Sequence, residues 1–187
     1  MRLDTLYKRN TNPDLYIDQE DYQNCGSYAL GVDRWYCPYL EEDEDLSEEH
    51  ELWQYAEYER ANWVTELVLE GVDREEIMAR LIERDFEFIL KTCPWLVPID
   101  EDEISENDRV IAYRLSMEIP NEREEFDMDE DTDFHFRLFI DGEWWEKNGA
   151  GPVHKVEDPD DDIWEVDDWL IYDGEIRYAK FEISSEF

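Results

Sequence analysis

Two alternating apolar runs in the second half of the chain constrain the fold most strongly. In VIAYRLSM (110–117) and FHFRLFI (134–140), large apolar residues recur at every second position, which is the period of a strand with one face in a core. An Asp-Gly pair at 141–142 separates the second run from EWWEK, and such a pair is a strong signal for a two-residue hairpin turn. A second Asp-Gly pair, at 173–174, predicts a further hairpin within WLIYDGEIRYAKFEI. The C-terminal half is therefore predicted to form an antiparallel sheet.

Two helices are predicted to precede this sheet. Residues from about 47 to 70 have rough helical spacing, with Ser47 as the N-cap and a glycine as the stop. A second helix is predicted to start at Asp73, with Glu76 in the capping-box position, and to end before the prolines of CPWLVP. Helices followed by an antiparallel sheet indicate the α+β class, with N-terminal helices packed on a C-terminal sheet. Since no repeat or Gly/Ser linker divides the chain, we predict a single domain over 1–187.

The charge of the chain restricts its partners. There are 54 Asp and Glu against 17 Lys and Arg, a formal net charge of -37, while 42% hydrophobic and 14% aromatic residues supply enough material for a folded core. The acidic runs at 41–45, 122–133 and 157–168 are predicted to be solvated loops, because adjacent like charges repel. Without a Lys/Arg cluster, direct binding to nucleic acid or to an anionic membrane is not expected. A basic protein surface, such as the DNA-binding groove of another protein, is the favoured partner, with solubility or salt adaptation as the alternatives.

Cysteine spacing and terminal composition indicate the compartment. Cys25, Cys37 and Cys93 have no metal-ligand spacing, and the latter two are expected to be structural. The N-terminus MRLDTLYKRN lacks an apolar signal core, and no run approaches the roughly 18 apolar residues of a membrane span. These features predict a reducing, cytoplasmic setting and no cofactor. DMDEDTD and DPDDD lack the glycine and terminal Glu of an EF-hand, so no metal site is predicted.

A cysteine and a histidine form the candidate catalytic pair. QNCGSYALG (23–31) places Cys25 at the start of a small-residue helix, where amide dipoles favour a thiolate. An imidazole that accepts the thiol proton completes such a nucleophile. His135 is the best candidate, since it lies mid-strand opposite four large hydrophobes, whereas His50 lies in a charged helix start and His154 in a loop. A buried free thiol and a merely hydrogen-bonded strand histidine are the structural alternatives.

Two blocks of the sequence carry a family resemblance. NCGSYALG resembles the NC-x-SYAL start of small phage and bacterial proteins related to papain-like cysteine hydrolases of the NlpC/P60 type. DFHFRLFIDGEWWEKNGAGPV (133–153) resembles the DYHFYR segment of that group and its following G-x-W-S-H-K-P-G-x-x-P-V segment. The resemblance implies a papain-like fold, with Cys25 as nucleophile and His135 as base. The third, orienting position falls at Glu146, where the group has His.

The predicted hairpin gives this assignment a geometry. With the turn between 140 and 143, Arg137 would oppose Glu146, and His135 would be a diagonal neighbour of Glu146 on the same face. A carboxylate can orient an imidazole and fix its tautomer. Arg137 could instead pair with Glu146 and draw it away from His135, which would indicate a degenerate site.

The oxyanion donors are less defined by the sequence. The backbone N–H of Cys25 is available at the helix start, and Gln19 or Gln23 could add a side-chain amide.

Three functions are compatible with these features. The first is a cysteine amidase or peptidase using Cys25, His135 and Glu146. The second is a catalytically inactive, phage-encoded inhibitor that mimics DNA and binds the basic groove of a host DNA-binding or defence protein; duplex DNA carries one charge per about 1.7 Å, so the carboxylates must be spread over a long face. The third is a virion or assembly component whose acidity repels packaged DNA. A phage-encoded protein would act in the host cytoplasm or in the virion.

Overall fold

A computed structural model describes residues 24–32, 36–39, 49–118, 132–149, 151–156, 164–166 and 170–182. The α-helices in these ranges are α1 (Cys25–Leu30), α2 (Glu49–Leu69) and α3 (Arg74–Thr92), and a 3-10 turn spans Glu101–Glu103. The strands are β1 (Leu96–Ile99), β2 (Val110–Met117), β3 (Thr132–Ile140), β4 (Glu143–Lys147), β5 (Val153–Lys155), β6 (Trp164–Val166), β7 (Leu170–Tyr172) and β8 (Arg177–Phe181).

The main sheet is antiparallel throughout, with strand order β1-β8-β2-β3-β4-β5, and β6 and β7 form a separate two-stranded ribbon. The α+β class is therefore confirmed. The β3–β4 hairpin turns on Asp141 and Gly142, whose φ angles of 53° and 77° are the left-handed conformations that a type I′ turn requires. The predicted register is also confirmed, since Arg137 lies opposite Glu146.

The second predicted hairpin is wrong. β7 pairs with β6, while β8 inserts between β1 and β2. Gly174 lies in the crossing between the ribbon and the sheet, where its N–H donates to the Leu115 carbonyl at 3.0 Å. An added Cβ at Gly174 would lie 2.8 Å from that oxygen, so the glycine is needed for close approach rather than for a hairpin. The pairing of β8 with β1 and β2 is favoured over a local hairpin because it buries Ala179 and Phe181 in the core.

One further strand replaces a predicted loop, and another follows α3. Trp164–Val166, within a predicted acidic solvated loop, forms β6, and the Trp164 side chain is only 2% exposed. Burial of this ring outweighs the cost of a strand flanked by carboxylates. β1 lies in the proline-containing segment after α3, and Pro98 is tolerated there because β1 is the edge strand of the sheet.

The helices pack on one face of the sheet. α3 begins as predicted, with the Asp73 side chain accepting a hydrogen bond from the Glu76 N–H at 2.9 Å. The other predicted N-cap, Ser47, lies outside the described residues.

No helix in the described part of the chain has both the length and the apolar character needed to cross a membrane.

A buried ion pair joins both long helices to the sheet. Arg60 of α2 donates two hydrogen bonds of 2.6 Å to the carboxylate of Asp85 on α3, and the Tyr113 hydroxyl of β2 donates a third, also of 2.6 Å. Because all three side chains are buried, the fork geometry fixes how α2, α3 and β2 meet.

The two faces of β3 lead to different clusters. Phe136 and Leu138 belong to the main core together with residues of α1 and α3. The odd-numbered side chains point to the opposite face, where Trp164 and Tyr172 of the ribbon pack with Ala112. This alternation decides which candidate site residues can meet.

Candidate functional site

α1 is fixed at its start by a network around Asn24. The Asn24 Oδ1 accepts hydrogen bonds from the Ser27 N–H at 3.0 Å and from the Tyr36 N–H at 3.2 Å, and its Nδ2 donates to the Tyr36 carbonyl at 2.7 Å. Cys25 is the first residue of this helix, as predicted, and Asn24 is its N-cap. The next residue is a glycine, and any larger residue would clash, because a Cβ at Gly26 would lie 2.8 Å from the Tyr36 ring.

The Cys25 thiol is buried against the backbone of β3. Its Sγ lies 3.7 Å from the Phe134 carbonyl oxygen, to which it donates, and the residue is only 4% exposed. Burial, reinforced by the nearby Asp133 carboxylate, raises the pKa of the Cys25 thiol to about 12. At neutral pH the sulfur is therefore a thiol rather than a nucleophilic thiolate.

His135 lies on the opposite face of β3 from the cluster that contains Cys25. Its ring packs at 5.3 Å from the Tyr172 ring and 6.0 Å from the Trp164 ring, measured between centroids. Its Nε2 lies 3.1 Å from Glu146 Oε2, so the predicted diagonal pair is present. The structure thus brings His135 and Glu146 together, whereas the hydrogen bond of Cys25 goes to Phe134.

Glu146 is the centre of a polar cluster. Its Oε2 also accepts a hydrogen bond from Arg137 Nε at 2.8 Å, and its Oε1 lies 3.0 Å from His154 Nε2. Arg137 therefore shares the carboxylate with His135. Burial alone would favour the neutral acid, but the hydrogen bonds from His135 and His154 and the charge of Arg137 hold the pKa of Glu146 well below its usual range.

His154 is the functional-site candidate that sequence reasoning missed. It lies on β5 directly opposite Glu146, rather than in a loop, and its side chain is 45% exposed. The hydrogen bond to Glu146 raises the pKa of His154 above its ordinary value. β5 has only three residues and no alternating pattern, so the sequence carries no strand signal that could have identified this position.

A lysine and the two-stranded ribbon hold the cluster in place. Lys147 is buried and donates from Nζ to the Gly149 and Gly151 carbonyls at 2.6 and 2.9 Å, which folds the β4–β5 connection. The Tyr172 hydroxyl donates to Asp133 at 2.6 Å and anchors the ribbon over His135. Burial raises the pKa of Asp133, and this effect is larger than the opposing effect of the Tyr172 hydrogen bond.

The remaining predicted site residues are not placed. Gln19 and Gln23, the predicted oxyanion donors, lie outside the described residues, so their role stays a prediction. Within the described ranges, no group of three His, Cys, Asp or Glu side chains is arranged to hold a metal ion.

The Glu146 carboxylate joins three side chains in this arrangement. Both carboxylate oxygens of Glu146 make hydrogen bonds. Of the two imidazoles, that of His135 is buried, with 2% exposure, and only that of His154 reaches solvent. Comparisons with protein-family models, curated proteins and solved structures found no match to the chain.

Proposed function

We propose that this protein is a binding protein that engages a strongly basic protein surface, with its carboxylates standing in for the phosphates of DNA. The observation that carries the proposal is the acidic surface of the folded body. Exposed carboxylates occur on α2 (Glu59, Glu66), on α3 (Glu75, Glu83) and on the 3-10 turn, in addition to the acidic runs of the sequence.

Few exposed cations interrupt this negative field on the described surface. They are Arg80, Arg84, Lys91 and Lys155. Arg80 pairs with Glu76 at 2.8 Å, and Lys155 pairs with Glu143 at 2.6 Å. Such exposed pairs compensate the cations locally and leave the excess of carboxylates to act at longer range.

The distribution of charge suits a groove that normally holds a duplex. A DNA-binding groove presents basic residues along many phosphates, so a surrogate needs anions on several elements rather than in one loop. The helices and the 3-10 turn supply them here. Electrostatic steering between surfaces of opposite sign would also accelerate the encounter.

The papain-like relationship forms part of this proposal. We propose that the chain uses a papain-like scaffold whose cysteine chemistry has been lost. The support for the scaffold is that the NCGSYALG segment forms a helix start packed against β3, the strand that carries His135. The support for the lost chemistry is that the Cys25 thiol is buried and protonated.

Displacement of DNA tests the proposed function. A fluorescent duplex of about 20 base pairs is bound to linker histone, a strongly basic DNA-binding protein, and the chain is titrated in. We expect displacement that weakens steeply between about 50 and 200 mM salt. Polyglutamate of matched total charge is the control. If the chain displaces the duplex no better than polyglutamate, the mimic proposal is refuted.

A cysteine hydrolase is the second candidate function. The 3.1 Å contact between His135 and Glu146 supports it, because these are the predicted base and its orienting group, whereas the burial of Cys25 against the other face of β3 counts against it. Iodoacetamide labelling at neutral pH separates the two candidates. Preferential labelling of Cys25 over Cys37 and Cys93 would support the hydrolase, and the absence of such a preference would count against it.

A further inference from the structure

A groove with an apolar floor and an acidic rim lies between α3, the 3-10 turn and the start of β8. Its volume is about 570 Å³. The floor includes Phe86 and Leu90 of α3, Ile99 of β1 and Ile176, and Tyr178 forms part of the wall. The volume suits a short ligand segment, and the exposed lining is more polar than apolar, with the apolar side chains forming its floor.

The rim of this groove carries six carboxylates: Glu83, Glu87, Asp100, Glu101, Glu103 and Glu175. Arg177 is the one cation of the lining, and its guanidinium donates to Glu175 at 2.8 Å. Within the part of the chain that the structure describes, no cation pairs with the other five carboxylates. The groove therefore combines apolar area with uncompensated negative charge.

Tyr178 links the floor to the rim. Burial, with the adjacent Glu101 carboxylate, raises the pKa of Tyr178 to about 12, so the phenol stays neutral at physiological pH. A half-buried aromatic ring at an acidic rim is a suitable contact for a guanidinium, which can stack on the ring and pair with a carboxylate.

The geometry points to this groove as the docking site for a short basic segment of a protein partner, in which an apolar side chain lies between Arg or Lys residues. This inference rests on the proposed function and names the part of the surface that recognises the partner. The apolar floor favours a peptide over a bare polycation, because Arg and Lys bury their aliphatic stems on apolar surface while their charges meet the rim.

The length of the groove sets the length of the segment. From Glu83 to Leu90, α3 rises about 10 Å at 1.5 Å per residue. An extended chain covers about 3.3 Å per residue, so about three residues fill the groove. A central apolar residue with one basic residue on each side fits this span.

The probes are two fluorescent peptides, Gly-Arg-Leu-Arg-Gly and its charge-matched analogue Gly-Arg-Ser-Arg-Gly. Binding to the full chain is measured by anisotropy at about 50 mM salt, where surface charges are weakly screened. We expect the leucine peptide to bind about fivefold more tightly than the serine peptide, because its side chain is buried on the floor. Equal affinity of the two peptides would overturn the inference.

Matched double variants locate the binding. Glu83→Gln with Glu87→Gln removes two rim charges, and Glu66→Gln with Glu70→Gln removes two exposed charges on and just after α2, away from the groove. We expect the rim variant to lose about fivefold or more in peptide affinity and the control variant less than about twofold.

Two outcomes would overturn the groove while leaving the proposed function intact. One is an equal loss of peptide affinity in both variants. The other is complete competition by spermine at an equal concentration of positive charge. In each case the displacement of duplex DNA from linker histone would be normal. Failure of the duplex displacement together with absence of peptide binding would overturn both.

Discussion

Replacing Glu146 by Gln keeps the shape of the side chain and removes the charge that holds the polar cluster. Arg137 and His135 are buried, so the substitution leaves a guanidinium and an imidazole without their anion in a region that water does not reach. Removing one partner of a buried ion pair costs about 3–5 kcal/mol. His154 adds little because it is half exposed.

The Gln oxygen can still accept one hydrogen bond, so we expect a loss near the lower end, about 3 kcal/mol in the free energy of unfolding at pH 6. At about 2–4 °C per kcal/mol for a chain of this size, the melting temperature falls by roughly 6–12 °C. The assay is urea unfolding followed by tryptophan fluorescence, repeated from pH 3 to pH 9.

The pH dependence distinguishes the charge of Glu146 from its packing. The pKa of Glu146 is lowered in the folded state, so its contribution is present above the ordinary value of 4.5 and is lost as the pH falls. The pKa of His154 is raised, so its contribution is complete below 6.5 and is lost as the pH rises through the folded value. The difference between wild type and variant is therefore largest between about pH 4.5 and 6.5.

Glu143→Gln, on the same strand, is the matched control. Glu143 pairs only at the surface with Lys155, so its substitution is expected to change stability by less than about 1 kcal/mol. A Glu146→Gln loss below about 1 kcal/mol, or a loss that stays constant down to pH 3, would refute the reasoning.

Three further predictions address the core and the thiol. Asp85→Ala leaves the Arg60 guanidinium buried without its bidentate partner and is expected to cost about 3–5 kcal/mol in urea unfolding; the double variant Arg60→Met with Asp85→Leu should recover most of that loss, and a single variant as stable as wild type would contradict it. Gly174→Ala places a Cβ 2.8 Å from the Leu115 carbonyl and should destabilise the chain by about 1–3 kcal/mol, whereas Gly149→Ala, with no atom near its added Cβ, should cost less than about 1 kcal/mol beyond the strain of a positive φ. Cys25, with its thiol pKa of about 12, should resist iodoacetamide at pH 8 in the native protein and react only after denaturation in urea, and rapid native labelling would show that the thiol is not held as described.

Local patterns in the sequence were sufficient where the interacting residues are near neighbours. Asp73 beside Glu76 specified the start of α3, and the Asp-Gly turn set the β3–β4 register. That register then brought His135 and Glu146 to one face, as predicted. A turn or a cap is decided within a few residues, so its chemistry is visible in a short window.

Features that depend on distant pairing were not visible in this way. The Asp-Gly pair at 173–174 has the composition of a hairpin turn, but β8 pairs with β1 and β2 because its side chains fill the core. His154 reaches Glu146 through a short strand that forms only because β4 is already in place. The acidic context of Trp164 predicted solvent, yet its ring covers His135.

By itself, the sequence determined the α+β class, the two helix starts at Cys25 and Asp73, the β3–β4 hairpin and the strong negative charge, since these follow from composition and from contacts between near neighbours. Only the tertiary structure decided that the Cys25 thiol packs with the core face of β3 while His135 faces the ribbon. It also decided that α3, the 3-10 turn and the start of β8 border an acidic groove. The reason is that both features depend on how elements far apart in sequence are stacked, which is set by the burial of whole faces rather than by any local motif.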